Sequence, residues 1–381
     1  MTTLKPLHTF HIPVMGLAYT IDSPIRVAKY GISSVISIMD DELIEKMNAF
    51  YSKKFDFPYQ EITQKIHDYR AERITSYLNL VDKIVKEKFE NFKTELSESK
   101  SALENYIAML PNKSEIKAGL QNLMEDGFAF KENIKNYLEK NLYLGNIDVN
   151  IMTKLDKDNF IKEEQLPIIF NDAHAALRGF VNSTLESSVV LSAGMNPRLY
   201  SYFESFSAFF PDAKNALKKK ITLKVSDFRS AMIQGNFLAK KGLWVSEYRI
   251  ESGLNCGGHA FATEVYLLGP ILEEFKQKKE QLIQSAHELM VKALGQKEMH
   301  VPEQPLDLKI TFQGGIGAAE EHDFLLDHYD VDSVGWGSPF LLVPEATSVD
   351  KLTLASLAAA KVNLSRNIFM SSLAFLSKTF A

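Results

Sequence analysis

The feature that most constrains the fold of this chain is a regular alternation of short apolar segments with longer amphipathic ones. Eight segments have the composition of β-strands, and most of them are followed by a segment with helical periodicity. The strand-like segments are residues 10–16, 32–38, 146–152, 188–192, 221–225, 243–247, 308–312 and 331–334. Eight such repeats are typical of a (β/α)8 TIM barrel, whereas a doubly wound sheet more often has about five or six strands. We therefore predict an α/β fold of the TIM-barrel class.

One long region does not follow this alternation. Between residues 41 and 142, apolar residues recur at helical spacing among Lys and Glu, and no segment has the pattern of a strand. Connections in α/β units are normally about 2–6 residues long, so the region is predicted to be a large all-helical insertion after the second strand. The predicted domains are residues 1–40 (barrel strands one and two), 41–142 (insertion), 143–347 (barrel strands three to eight) and 348–381 (a C-terminal helical tail). A barrel helix is expected from Glu163 to about Phe180.

Composition and charge favour a cytoplasmic protein that acts on a small molecule. The net charge is −5 and there is no basic block, so nucleic acid is not an expected partner. One cysteine excludes an internal disulfide framework and suits a reducing compartment. The N-terminal residues lack the apolar core of a signal peptide, and no apolar run approaches the ~20 residues of a membrane helix. No membrane partner is expected.

Two glycine clusters follow the last two predicted strands. Gly314-Gly315-Ile316-Gly317 follows the seventh strand, and Gly335-Trp336-Gly337-Ser338 follows the eighth. Glycines can present backbone N–H groups to an anion, and the common phosphate site of TIM barrels lies after strands seven and eight. The clusters therefore predict a phosphate site, with tight turns at a crowded barrel rim as the alternative.

Three polar residues lie within or at the ends of strands that should be buried. Asn150 is either a satisfied interior amide or an amide that faces a flavin ring. Lys224 is either paired with a neighbouring strand, for which Glu247 is the expected partner, or a cation beside an electron-rich cofactor. For each of these two residues, the sequence leaves both readings open.

The connection after the sixth strand carries the most reactive set of side chains. Residues 251–259 contain three glycines, Cys256 and His259. A histidine here can exchange protons near neutral pH, although a glycine turn with a surface histidine is the alternative. Cys256 is interpreted as an inert thiol. The sequence has no paired histidine spacing such as His-Glu-x-x-His, so no metal site is predicted. It also has no Gly-x-Ser-x-Gly, P-loop or G-x-G-x-x-G pattern.

Taken in order, these motifs resemble the nitronate monooxygenase (2-nitropropane dioxygenase) family of FMN-dependent TIM barrels, which also includes flavin enoyl reductases. The similar stretches are Ile12–Gly16 with Thr20–Pro24, Val149–Asn150, Gly257–His259, Gln313–Ile316 and Gly337–Phe340. They cover about residues 8–40 and 144–347. The chain departs from the family in residues 41–142, in the longer connection with Asn255 and Cys256, and in the tail after Thr347.

The resemblance implies a role for each matched residue. Met15 and Gly16 would lie against the flavin ring, and Asn150 and Lys224 would hydrogen-bond it. Gly257 and Gly258 would belong to the cofactor site. His259 would be the catalytic acid or base. The residues implied to hold the FMN phosphate are Gly314, Gly315, Gly337 and Ser338.

The function expected from the resemblance is that of an FMN-dependent oxidoreductase acting on a small organic substrate, with NAD(P)H as a possible electron donor. One alternative is a flavin-dependent enoyl-thioester reductase of lipid or polyketide synthesis, in which the helical region would dock a carrier protein. Another is a non-catalytic barrel that binds a phosphorylated ligand, with the helices as a partner-binding module. The substrate and the oligomeric state, including a homo-oligomer, stay open.

Overall fold

The core of the fold is a closed barrel of eight parallel strands. A computed structural model describes residues 7–15, 20–38, 40–111, 114–125, 130–152, 156–192, 194–251, 268–343, 345–347 and 350–359. The strands are β1 (Phe10–Ile12), β2 (Ser33–Ile38), β3 (Ile147–Ile151), β4 (Phe160–Ile161), β5 (Glu164–Gln165), β6 (Ser188–Leu191), β7 (Lys220–Val225), β8 (Val245–Glu251), β9 (Lys309–Gln313) and β10 (Ser333–Gly335). The barrel order is β1-β10-β9-β8-β7-β6-β3-β2, and β4 and β5 form a separate antiparallel pair. The predicted eight-stranded, TIM-like barrel is confirmed.

Helices connect most of the barrel strands. They are α1 (Ser23–Val27), α2 (Asp41–Lys54), α3 (Tyr69–Glu98), α4 (Lys100–Met109), α5 (Glu115–Glu125), α6 (Phe130–Asn141), α7 (Asp172–Asn182), α8 (Pro197–Tyr202), α9 (Phe228–Ala239), α10 (Leu268–Gln296), α11 (Ala319–Tyr329), α12 (Ser338–Leu341) and α13 (Lys351–Ala358). Local sequence explains several starts: Asp40, Asn196 and Asp227 each accept a backbone N–H of the first turn. Among the described residues, no helix combines the length and apolarity needed to cross a membrane.

Alternate residues of each barrel strand face opposite sides, as the period of a strand requires. On β8, Tyr248 and Ile250 belong to the apolar core shared with the outer helices. Arg249 lies between them and faces the barrel interior, where it pairs with Glu247 and Asp148. The layer between strands and helices is therefore apolar, whereas the inside of the barrel carries charge.

The helices between β2 and β3 divide between two apolar cores. Ile44 of α2 and Ile74, Leu78 and Val81 of α3 pack in the same core as the barrel strands. From Phe89 onward, α3 packs instead with α4, α5 and α6. This second core contains Phe89, Phe92, Leu96, Leu103, Tyr106, Ile107, Leu110, Ile116, Leu120, Ile134, Leu138 and Leu142. The first half of the helical region thus covers the barrel, and the second half has a core of its own.

Two expectations about element boundaries are wrong. The helix expected from Glu163 begins only at Asp172, because a hairpin turns at Lys162 (φ 56°) and Pro167 cannot continue a helical hydrogen-bond ladder. The sixth barrel strand runs to Glu251 rather than ending at Glu247. Its charged residues fit because they alternate and find counter-charges inside the barrel. Glu251 therefore belongs to the strand and not to the connection after it.

Candidate functional site

The predicted site residues that the structure describes surround the C-terminal mouth of the barrel, the end at which the parallel strands finish. Gln313, the last residue of β9, is in register with Gly335 of β10, and Gly335 is in register with His11 of β1. The connections after these three strands are therefore neighbours. A Cβ atom at Gly337 would lie 3.8 Å from Cγ of Met15, which shows that the two predicted residues are adjacent.

The turn after β9 has the backbone that only glycine adopts readily. Gly314 has φ 107° and Gly315 has φ 74°, both in the left-handed region. A Cβ atom built on Gly315 meets no atom within 4 Å, so the space beside this backbone is open. The predicted pair thus forms a turn whose main chain a ligand can approach closely.

The start of α11, the helix after this turn, already holds a carboxylate of the protein. One oxygen of Glu321 accepts hydrogen bonds from the backbone N–H groups of Gly317 (2.8 Å) and Ala318 (3.1 Å). An anion at this helix start would have to displace that carboxylate, since both use the same donors. Any phosphate contact from this connection is therefore concentrated on Gly314 and Gly315.

The connection after β10 is fixed to its surroundings through Trp336. The Trp336 backbone N–H donates to the His11 carbonyl (2.9 Å), and its indole N–H donates to Nδ1 of His322 (3.0 Å). Ser338 then begins α12, with Pro339 in its first turn. Gly337 and Ser338 thus follow a tryptophan whose backbone and ring are both held by hydrogen bonds.

The tautomer of His322 follows from its two partners. Indole nitrogen only donates, so Nδ1 of His322 must be the acceptor and the neutral ring carries its proton on Nε2. That proton is donated to the Thr9 hydroxyl at 3.0 Å. Burial lowers the pKa of His322, with Asp323 acting in the opposite direction. The neutral ring that holds Trp336 is thereby favoured.

Replacing His322 should loosen the connection after β10. In His322→Phe, the Trp336 indole loses its acceptor, which should cost roughly 1–2 kcal/mol of unfolding free energy. Trp336 emission should shift to the red, because the ring becomes more hydrated; Trp244, the other tryptophan, is buried and should not change. His328→Phe on the same helix is the matched control. Equal spectra for both variants would contradict the anchoring role.

Asn150 is fully buried and incompletely satisfied. Its amide donates to the Ser37 hydroxyl on β2 at 3.0 Å, and the other amide atom, Oδ1, has no hydrogen-bond partner among the residues that the structure describes. The opposite amide orientation would leave the NH2 group unpaired instead. In either orientation one polar atom is free, and leaving such an atom buried costs about 1–3 kcal/mol. Among the described residues, Asn150 thus has fewer hydrogen-bond partners than a fully satisfied interior amide would have.

Lys224 is paired, but its partner differs from the expected one. Its ammonium lies 3.3 Å from Oε1 of Glu251, and the same carboxylate accepts a short hydrogen bond from the Gln313 amide. Glu247 instead pairs with Arg249, two residues away on its own strand. The predicted Lys224–Glu247 pair is wrong because β8 continues past Glu247 and brings Glu251 to Lys224. Glu251 is 2% exposed, so this pair lies within the barrel.

Beneath the mouth, the barrel interior contains a second charged group that sequence reasoning missed. Arg249 is 3% exposed and donates to Oε1 of Glu247 at 2.8 Å, while Asp148 lies 3.8 Å from its guanidinium. Thr311 also donates to Glu247, at 2.5 Å. The signal was present as Glu247, Arg249 and Glu251, because charges at every second position of a strand share one face.

The pKa values of the two carboxylates beside Arg249 are shifted in opposite directions. Burial raises the pKa of Asp148 to about 6, because the guanidinium at 3.8 Å offsets the burial only in part. Burial also acts to raise the pKa of Glu247, but Arg249 at 2.8 Å and the Thr311 hydroxyl outweigh it and lower that pKa to about 2. The closer carboxylate is therefore the firmly ionised one.

His11 closes this interior on the side of β1. Its Nδ1 lies 3.1 Å from the Ser333 hydroxyl, and Gln313 is the hydrogen-bonding side chain that raises its pKa in part. Burial, with Arg249 nearby, lowers the pKa of His11 to about 3, so the ring is neutral. A Cβ atom at Gly335 would lie 2.9 Å from Nε2 and 2.6 Å from Cβ of Gln313. Only glycine fits there without displacing its neighbours.

A cavity of about 410 Å³ opens beside the ends of β2 and β3. Its walls come partly from the barrel and α7 and partly from the helical region. They include Ile38, Ile151, Met152, Ala173 and Ala176, together with Asp41, Glu42, Arg70 and Ile74. Residues of α2 and α3 thus line space at the same end of the barrel as the predicted site.

Some predicted site residues lie outside the described part of the chain. These are Gly16, Gly257, Gly258 and the predicted catalytic residue His259, together with Asn255 and Cys256. Their roles stay predictions. Within the described residues, no group of three or more His, Cys, Asp or Glu could hold a metal ion. Comparison with protein-family models and with curated proteins gives no match to this chain.

Proposed function

We propose that this protein is an FMN-dependent oxidoreductase whose cofactor binds at the C-terminal mouth of the barrel. The observation that carries the proposal is Asn150, a fully buried amide with one hydrogen-bonding atom unpaired, on a strand that ends at this mouth. A flavin ring offers both donors and acceptors along its polar edge, so it can satisfy either orientation of that amide. The order of motifs shared with the nitronate monooxygenase family supports the same cofactor.

The remaining described residues fit this group. Lys224 can donate to a flavin carbonyl while it stays paired with Glu251, since an ammonium has three N–H donors. The open backbone at Gly315 suits a phosphate, and Gly337 lies beside Met15 on the adjacent connection. Ser338, the remaining residue implied by the resemblance, is the first residue of α12. These groups would bind the ring and the phosphate at different points around one barrel end.

The flavin, when bound, supplies the electron transfer, and the protein supplies binding, orientation and proton transfer. Asn150 and Lys224 orient the polar edge of the ring, and Gly314 and Gly315 hold the phosphate end. His259 moves a proton to or from the substrate as general acid or base. Helices α2 and α3, within the proposed insertion after the second strand, line a cavity beside the ends of β2 and β3. The chain departs from the family in these helices, so we assign substrate choice to them.

Purified protein tests the cofactor directly. We expect a flavin spectrum, or recovery of one when FMN is added, and saturable binding in a titration. Substrate classes are then separated by activity: a nitronate consumed with oxygen alone identifies the monooxygenase, and an enoyl thioester reduced with NAD(P)H identifies the reductase. Protein that stays colourless and takes up no FMN overturns the proposal. Binding of inorganic phosphate without FMN would favour the non-catalytic barrel.

Gly315→Ala should weaken FMN binding at least about tenfold, because the added Cβ fills open space beside the proposed phosphate backbone and strains φ 74° by about 1–2 kcal/mol. No protein atom lies within 4 Å of that Cβ, so a loss of affinity comes from the ligand side or from the strained turn. Gly295→Ala is the control for general stability, since its Cβ also meets nothing and it lies in α10. Unchanged FMN affinity in Gly315→Ala would remove this turn from the site.

A further inference from the structure

We infer that Glu251 sets the reduction potential of the bound cofactor by neutralising Lys224. The inference rests on the proposed FMN site and goes beyond it, because it assigns a redox-tuning role to a residue outside the matched motifs. Glu251 is the last residue of β8 and is 2% exposed. It acts through Lys224 and is therefore a positioning and tuning residue rather than a catalytic one.

The contacts of Glu251 leave its charge close to the mouth. Its Oε1 lies 3.3 Å from Nζ of Lys224 and accepts a short hydrogen bond from Nε2 of Gln313. These two contacts come from the strands on either side of β8, and each comes from the C-terminal half of its strand. The carboxylate is thus held by neighbours on both sides and cannot turn away from Lys224 without breaking the Gln313 bond.

The electrostatic consequence follows from the sign of each charge. Reduction adds negative charge to a flavin, so a nearby cation raises its reduction potential and a nearby anion lowers it. Lys224 alone would raise the potential. Because Glu251 carries the opposite charge 3.3 Å from Lys224, it offsets part of this effect at the ring. The Glu251 carboxylate should therefore lower the reduction potential below the value that Lys224 alone would give.

The second charged cluster does not replace this effect. Arg249 is in register with Lys224 on the neighbouring strand, but its guanidinium pairs with Glu247 at 2.8 Å and lies 3.8 Å from Asp148. Those three residues sum to one negative charge when Asp148 is ionised. Within the described strands, this cluster therefore offers no excess positive charge that could take over from Lys224.

The test compares Glu251→Gln, Lys224→Met and the double variant in FMN-loaded protein. Sulfite bleaches bound flavin with an affinity that follows the reduction potential, so the readout is a spectrum and not turnover. Glu251→Gln keeps the acceptor for Gln313 and should tighten sulfite binding by about tenfold, which corresponds to about 30 mV for a two-electron couple. Lys224→Met should weaken sulfite binding by a similar factor. The double variant should return close to the wild type, because both charges are gone.

Glu204→Gln is the matched control, since Glu204 is also a glutamate paired with lysines, at 2.6 Å from Lys241 and 2.8 Å from Lys297. It should leave sulfite affinity unchanged. FMN-loaded Glu251→Gln with wild-type sulfite affinity overturns the inference while the proposed function stands. If Glu251→Gln does not fold, an unchanged sulfite affinity in FMN-loaded Lys224→Met also overturns the inference. Protein that binds no FMN overturns both.

Discussion

Arg249→Met should be the most destabilising substitution in the barrel interior, with an expected loss of about 3–5 kcal/mol in unfolding free energy. The guanidinium is 3% exposed and is the counter-charge for Glu247 at 2.8 Å and for Asp148 at 3.8 Å. Methionine fills similar volume but leaves two carboxylates buried beside each other. Urea and thermal unfolding followed by circular dichroism measure the loss.

Two further variants separate the charge effect from packing. Lys278→Met removes a lysine from an ion pair of 2.6 Å on the exposed face of α10, and it should cost no more than about 0.5 kcal/mol. The double variant Glu247→Gln with Arg249→Met should recover part of the stability, because one uncompensated carboxylate is removed. If Arg249→Met were no more destabilising than Lys278→Met, the interior charges would not stabilise the barrel.

In the barrel interior, the contributions of His11 and Asp148 to stability should oppose each other and give a plateau at mildly acidic pH. The pKa of His11 is lowered from 6.5 to about 3, so its contribution is complete above pH 6.5 and is lost as the pH falls from there. The pKa of Asp148 is raised from 3.8 to about 6, so its contribution is gained as the pH falls from 6 to 3.8. Between about pH 6 and 4.5 the two slopes oppose each other, at about 1.4 kcal/mol per pH unit each.

Below the plateau, stability should fall steeply. The pKa of Glu247 is lowered from 4.5 to about 2, so protonation of the unfolded state removes its contribution as the pH falls below 4.5. Once the pH is below 3.8, Asp148 no longer compensates, and His11 and Glu247 lose stability together. Urea midpoints measured between pH 6 and 3.5 should therefore fall more steeply below pH 4.5 than above it.

Asp148→Asn is the variant that tests this balance. It keeps an acceptor for the Ser188 backbone N–H, which donates to Asp148 at 3.1 Å, but it cannot titrate. Between pH 6 and 4.5, its unfolding free energy should fall more steeply than that of the parent protein, by about 1.4 kcal/mol per pH unit. Equal slopes in the variant and the parent would mean that Asp148 does not compensate His11.

The barrel could be predicted from the sequence because each strand has its own local pattern of apolar residues. The predicted segments for β2, β3, β6 and β7 agree with the structure to within about one residue. The segment for β8 was cut short at Glu247, because Arg249 and Glu251 do not look like strand residues until their partners on other strands are known. Such pairing is a tertiary effect that a local pattern cannot contain.

The candidate site, like the barrel, could be predicted from the sequence only in part. The glycine turn at Gly314 and Gly315 follows from residue type, since glycine signals a left-handed backbone. The hydrogen bonds from the Gly317 and Ala318 N–H groups to Glu321 do not follow from residue type, although the position of Glu321 at the start of a helix was a usable signal. The free amide atom of Asn150 depends on what surrounds it across the barrel and is visible only in the fold.

The closure of the barrel also determines when this protein can finish folding during synthesis. β1 pairs with β10, and His11 reaches Ser333 across 322 residues of chain. At about 5–20 residues per second, the ribosome delivers β10 tens of seconds after β1. Until then, the first strand has a free edge on the side that β10 later covers, as does β9. A chain that ends between residues 314 and 332 therefore leaves one edge of β1 and one edge of β9 unpaired, and unpaired edges favour association with other chains.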